Sequence, residues 1–156
     1  MSMRQLAIIF FLCFMIQLVE AQERIVVPST KNASPTKHEI KRQQEADDLF
    51  HRIELGIASG SVDNFSDAFS LSLSLSVGTV ERGLYSANQA KAILSEYFNG
   101  RRVTGFLFSR IKYTAANPYA TGRISFIRRG NQESAQVYVL LSLQNSHWKI
   151  SQFNIY

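Results

Sequence analysis

Apolar positions recur along this chain with two different periods. Ala46, Leu49, Phe50, Ile53 and Ile57 follow one another at intervals of three and four, the spacing of a single apolar stripe on a helix. Thr36-x-x-Glu39 has the form of a capping box, so this helix begins near Thr36 or nearer Gln43, and Gly60 stops it. Ser61 offers a second cap, and Val62, Phe65 and Phe69 predict a short second helix. Ser86, with Gln89 three residues on, opens a third. Its buried face is Ala90, Ile93, Leu94, Tyr97 and Phe98, and Gly100 ends it.

Elsewhere the period is two. FSLSLSLSVG, Phe69 to Gly78, places Leu71, Leu73, Leu75 and Val77 at alternate positions, with Ser70, Ser72, Ser74 and Ser76 between them. At a helix's roughly 100° per residue these leucines would scatter to both sides, whereas a strand points them all one way. A turn through Gly78 to Gly83 then leads to the third helix. After Gly100 the pattern predicts four strands: Val103–Tyr113, Tyr119–Arg129, Glu133–Gln144 and His147–Ile155. Asn117-Pro118, Gly130-Asn131 and Asn145-Ser146 separate them. With Gly130-Asn131 as a two-residue turn, Arg128 faces Glu133, Phe126 faces Ala135 and Ile124 faces Val137. Gly122, Ile124 and Phe126 then share an oily face with Val137, Val139 and Leu141. Thr121, Arg123, Ser125, Gln136 and Tyr138 occupy the other. In the last strand Trp148 and Ile150 have one parity and Phe153 and Ile155 the other, which predicts a bulge near Ser151-Gln152.

The first residues stand apart. Arg4 precedes LAIIFFLCFMIQLV, Leu6 to Val19, a run shorter than the roughly 20 residues that span a bilayer. Val19-Glu20-Ala21 follows as a peptidase site. The expectation is a signal peptide over 1–21, a flexible lead-in over 22–37 and one α+β roll domain over 38–156. The product would be exported, periplasmic or associated with the cell envelope, without a membrane span after cleavage. The only cysteine, Cys13, leaves with the signal, which excludes disulfides, thiolate metal sites and a cysteine nucleophile from the mature chain. With 46% hydrophobic and 19% charged residues among 156, the chain is globular in composition. Its net charge of +5 is unevenly spread. From Arg101 onward Glu133 is the single acid against eight Lys and Arg, while Ala46 to Gly100 carries seven acids and three bases.

Tyr85-Ser86-x-x-Gln89-Ala90-x-x-Ile93-Leu94-x-x-Tyr97-Phe98 is followed by Phe106, Tyr119-Ala120-x-Gly122, Tyr138-Val139 and a closing Ile-x-Gln-Phe-x-Ile, Ile150 to Ile155. Over about Ala46 to Tyr156 this set resembles a family of small exported bacterial proteins, the domain of unknown function 4783. Its members are similar to the nuclear-transport-factor-two-like, or cystatin-like, superfamily. The resemblance implies a signal peptide and an α+β cone. In it three N-terminal or intervening helices pack on a curved, mostly antiparallel sheet of five to six strands. It brings no activity and no catalytic residues.

Enzymes on such a cone place an acid, base or hydroxyl inside it, where burial shifts the pKa. The C-terminal strands offer Glu133 and His147, both beside hairpin turns, with Glu133 expected to pair with Arg128. His51 reads as packing at the edge of the first helix or as cavity lining. Tyr85, Tyr113, Tyr119 and Tyr138 could turn hydroxyls toward a pocket. No spacing suits a metal or a phosphate-binding loop, so neither a cofactor nor a catalytic set is assigned. Arg123, Arg129, Tyr138 and Lys149 are the candidate ligand or partner face. Export argues against nucleic acid there and favours a small apolar or anionic ligand, or a second copy packed through the sheet. The function this supports is a non-catalytic module binding a small ligand or a protein. The alternative is an isomerase-like or hydrolase-like enzyme acting on a small hydrophobic substrate in the cone.

Overall fold

The computed structural model describes residues 34–78, 81–114 and 117–156. The expected signal peptide and most of the lead-in lie outside them. Pro35–Tyr156 form one compact unit. Helix α1 is Lys37–Ser59 and α2 is Ala87–Asn99. Six strands follow the chain as β1 Phe69–Val77, β2 Glu81–Ser86, β3 Arg102–Lys112, β4 Tyr119–Arg128, β5 Asn131–Gln144 and β6 His147–Ile155. They form one sheet in the order β2-β1-β6-β5-β4-β3, antiparallel except where β1 meets β6.

Both helices start at capping boxes. The Glu39 carboxylate accepts the Thr36 N–H at 2.7 Å while Thr36 Oγ1 accepts from the Glu39 N–H. The Thr36 N–H, and then the Thr36 hydroxyl, donate to the Glu39 carboxylate and hold it below the usual range. The cap settles the start of α1 at Lys37. Ser86 and Gln89 repeat the arrangement on α2. The α1 stripe of Ala46, Leu49, Phe50, Ile53 and Ile57 is buried against one face of the sheet. That face is built from Leu73, Leu75, Ile124, Phe126, Val137, Val139, Leu141, Ile150, Phe153 and Ile155.

The expected second helix is replaced by two 3-10 turns, Val62–Asn64 and Ser66–Ala68. Phe65 between them has φ −139° and ψ −1°, neither helical nor extended, which breaks the helix and sends its ring into the core. There it stacks on Phe153, with centroids 5.8 Å apart. A Cβ on Gly56 would lie 2.5 Å from that ring, so α1 admits only glycine where Phe65 crosses it.

Three further expectations change. The segment read as a turn through Gly83 contains β2, which pairs with β1 from Ser72↔Ser86 to Val77↔Glu81. As an edge strand with Leu84 75% exposed, it has no apolar alternation to betray it. The serine–leucine strand is not uniform either. Its register against β6 jumps between Phe69↔Ile150 and Ser74↔Gln152, which turns Leu71 out to solvent and buries Ser70, whose Oγ accepts from Gln144 Nε2 at 3.2 Å. Finally, the β4–β5 turn is Arg129-Gly130, with φ 50° and 84°, the two left-handed positions of a type I′ turn. Arg128 therefore faces Asn131, and Phe126 faces Glu133. The slip from the expected register is two residues, so every side chain keeps its expected face. The bulge expected in β6 is present, with Ser151 as the extra residue between Leu140↔Gln152 and Leu141↔Ile150.

Candidate functional site

The second face of the sheet carries a patterned surface, whose rows follow the ladders. One row runs Lys112, Tyr119, Leu140, Gln152, Ser74 and Leu84 across β3, β4, β5, β6, β1 and β2. The next runs Arg110, Thr121, Tyr138, Asn154, Ser76 and Arg82. Leu107, Arg123 and Gln136 begin a third, and Tyr156 joins it through paired backbone bonds to Gln136. Tyr119 and Tyr138 stack with centroids 5.8 Å apart and planes at 27°, an offset-stacked geometry. Burial, with Tyr119 and Tyr156 nearby, raises the Tyr138 hydroxyl above the ordinary tyrosine range. No Asp or Glu side chain stands in these rows among the described residues.

Bulges decide who faces this surface. In β3 the register shifts between Phe108↔Gly122 and Arg110↔Thr121. Without the extra residue, Ser109, strict alternation would put Arg110 and Lys112 on the side of Phe106 and Phe108, in the core. The bulge turns them outward. Glu54 of α1 holds it from the other side, since its Oε1 accepts the Phe108 N–H at 2.8 Å. Gly122 lets the strands close up, because a Cβ there would sit 2.5 Å from the Leu107 carbonyl oxygen.

The four residues picked from sequence are not all together. Arg123 and Tyr138 are neighbours on the open face, one on each side of the Arg123↔Gln136 and Thr121↔Tyr138 pairs. Arg123 also reaches Ser134 Oγ at 3.4 Å. Arg129 is in the hairpin turn, six residues or about 20 Å along the strand from Arg123. Lys149 pairs with Ser142 but turns its Nζ to the Asp67 carbonyl at 2.9 Å, toward the turns before β1. Arg110, Lys112, Thr121 and Asn154 complete the surface. The sequence signal for Arg110 and Lys112 is hidden by the Ser109 bulge.

Other candidates resolve differently. His51 turns to solvent: its side chain is 69% exposed, 3.7 Å from Glu54. Glu133 and Arg128 form no ion pair among the described residues, because the register separates them. His147 and Lys149 border a cleft of about 370 Å³ with Glu45, Asp48, Arg52, Asp67 and Trp148, but Arg52 is already tied to Asp67 and to the Asn64 carbonyl. Tyr113 and Trp148 border another of about 310 Å³, where the Trp148 indole N–H donates to the Arg42 carbonyl at 2.8 Å. The Tyr97 ring lies 3.8 Å under the Arg101 guanidinium, and burial raises its hydroxyl. Among the described residues Ser70 is the only polar side chain in the buried set. No cluster there has the donors for a metal ion, and no helix is long and apolar enough to cross a membrane.

Solved structures share the fold. A DUF4783 family protein from Bacteroides uniformis superposes with a TM-score of 0.61 at 10% identity, covering 67% of this chain and 93% of that one. One from Bacteroides ovatus gives 0.58 at 16% identity, covering 66% and 89%. An NTF2-like protein from Anabaena variabilis gives 0.61 at 19% identity, covering 80% and 94%. No curated protein matches the chain. The family model for a domain of unknown function, DUF4783, matches residues 50–156. That span takes in the C-terminal part of α1, from Phe50 on, all of α2 and all six strands, and the chain belongs to the DUF4783 family.

Proposed function

We propose that this protein is an exported, non-catalytic binding module of the cell envelope whose working surface is the open sheet face. One observation carries the reading: the Tyr119–Tyr138 stack lies between basic side chains, with no Asp or Glu in the same rows among the described residues. Interior chemistry supports it as well. The core face is Leu, Ile, Val and Phe, and the α1 carboxylate directed at the sheet, Glu54, is engaged by the Phe108 N–H. Enzymatic use of the cone would call for an ionisable group facing a cavity. Export rests on the apolar run Leu6 to Val19.

A second copy packed sheet to sheet is the other occupant this face suggests, because Tyr119 and Tyr138 are of the aromatic type that interfaces favour. Native mass spectrometry of the protein purified from its own host tests both readings. A bound mass or a dimer that Tyr138→Ala removes is the expected result. A ligand-free monomer, unchanged by that substitution, would sink the proposal.

A further inference from the structure

The acids of the folded unit avoid the open-face rows. Glu39, Glu45, Asp47, Asp48, Glu54, Asp63, Asp67 and Glu96 lie on the helices and 3-10 turns, which carry bases as well. Glu81 and Glu133 lie on strands, opposite Val77 and Phe126 and outside those rows. Arg82, Arg110, Lys112 and Arg123 stand on the open sheet face, and Arg102 joins them opposite Ile127. Two copies stacked through that face would bring like charges together, whereas an anionic partner meets a complementary field. The rest of the face narrows the partner's chemistry. Its rows are rich in hydroxyls and amides: Ser74, Ser76, Thr121, Gln136, Gln152 and Asn154. Serine and lysine are depleted from the cores of protein interfaces. Side-chain amides and hydroxyls beside a tyrosine platform instead suit a ligand that has many hydroxyls and an apolar ring face. Six strands make a track about 24 Å wide, at about 4.8 Å per step, long enough for several linked rings.

We infer that the open face binds an acidic polysaccharide, its sugar rings lying on Tyr119 and Tyr138 and its carboxylates meeting Arg110, Lys112 and Arg123. This rests on the open face being the binding surface. The Ser109 bulge is then part of the site, because it brings Arg110 and Lys112 to the side of the tyrosines.

The test uses the purified protein with polygalacturonate, fully methyl-esterified polygalacturonate and single-stranded DNA, by affinity electrophoresis and calorimetry. Expected is binding to polygalacturonate that weakens with salt, falls about tenfold in Arg110→Gln/Arg123→Gln and falls at least as far in Tyr119→Ala/Tyr138→Ala. The methyl ester, with the same backbone and no charge, should bind far more weakly. Circular dichroism checks that both variants fold. Equal binding to DNA and polygalacturonate, insensitive to the tyrosines, would reduce the face to a cation exchanger and overturn the inference. Failure to bind any polymer, with a dimer that Tyr138→Ala dissolves, would also overturn it but keep the open face as the binding surface. No polymer bound and no dimer would remove both.

Discussion

Glu54 separates scaffold from chemistry. Its side chain is 19% exposed, and its carboxylate accepts the Phe108 N–H at 2.8 Å, where the β3–β4 register shifts. A half-buried N–H left without an acceptor costs about 1–3 kcal/mol, so Glu54→Ala should lose about 2 kcal/mol. Glu54→Gln keeps an oxygen for the same N–H and gives up only the charge assistance, a loss of about 0.5–1 kcal/mol. At about 3–5 °C per kcal/mol for a domain of this size, the melting temperature falls by about 6–10 °C for alanine and about 2–5 °C for glutamine. His51→Ala should move it by under about 0.5 kcal/mol, since that contact is exposed. Urea melts followed by circular dichroism measure all three. An alanine variant as stable as the parent would refute the role given to Glu54. Alanine and glutamine variants that were both more stable would revive a catalytic reading, because functional groups commonly reduce stability.

Other substitutions have expected signs. Gly122→Ala sets a Cβ 2.5 Å from the Leu107 oxygen and 3.0 Å from the Phe108 Cα; backbone must move, about 2–3 kcal/mol is lost, and hydrogen exchange should quicken first in β3 and β4. Ser146→Gly relaxes a φ of 66° in the β5–β6 turn and yields Asn-Gly, the preferred type I′ pair; a gain of about 0.5–1 kcal/mol is expected, and a lower melting temperature would contradict the turn. Burial, with Asp48 adjacent, raises the Asp47 carboxyl. The folded state thus holds that proton more tightly than the unfolded chain, a contribution present below the unfolded pKa and lost as pH rises through the folded one. Asp47→Asn should therefore raise the melting temperature at neutral pH and leave it unchanged in strong acid; the same gain at both would rule out this linkage.

Local rules made much of the fold legible. Two capping boxes, one apolar stripe per helix and the alternation of β4 and β5 depend on neighbours within four residues, and each appears as read. The losses are at positions whose conformation a distant partner sets. Leu71 belongs to a perfect alternation, yet it is 91% exposed, because β1 must join β6 in parallel across a jump in register. Phe65 fits a helical stripe, but the space under Gly56 and the ring of Phe153 take it instead.

The candidate site was half legible for the same reason. Arg123 and Tyr138 were found because β4 and β5 run without a bulge and parity carries through their whole ladder. Arg110 and Lys112 lie on β3, where parity reverses at Ser109, and periodicity alone assigns them to the core. A carboxylate 54 residues upstream stands at that reversal, through its bond to Phe108. The open face therefore depends on α1 even though α1 packs against the other side of the sheet. If the charges on that face bind a ligand, a helix substitution such as Glu54→Ala should weaken binding without touching the surface. In that outcome Arg110→Gln would cost less in the Glu54→Ala background than in the parent, since the guanidinium would already be displaced. Additive losses in that double-mutant cycle would mean that the bulge survives without Glu54, and that β3 holds its own register.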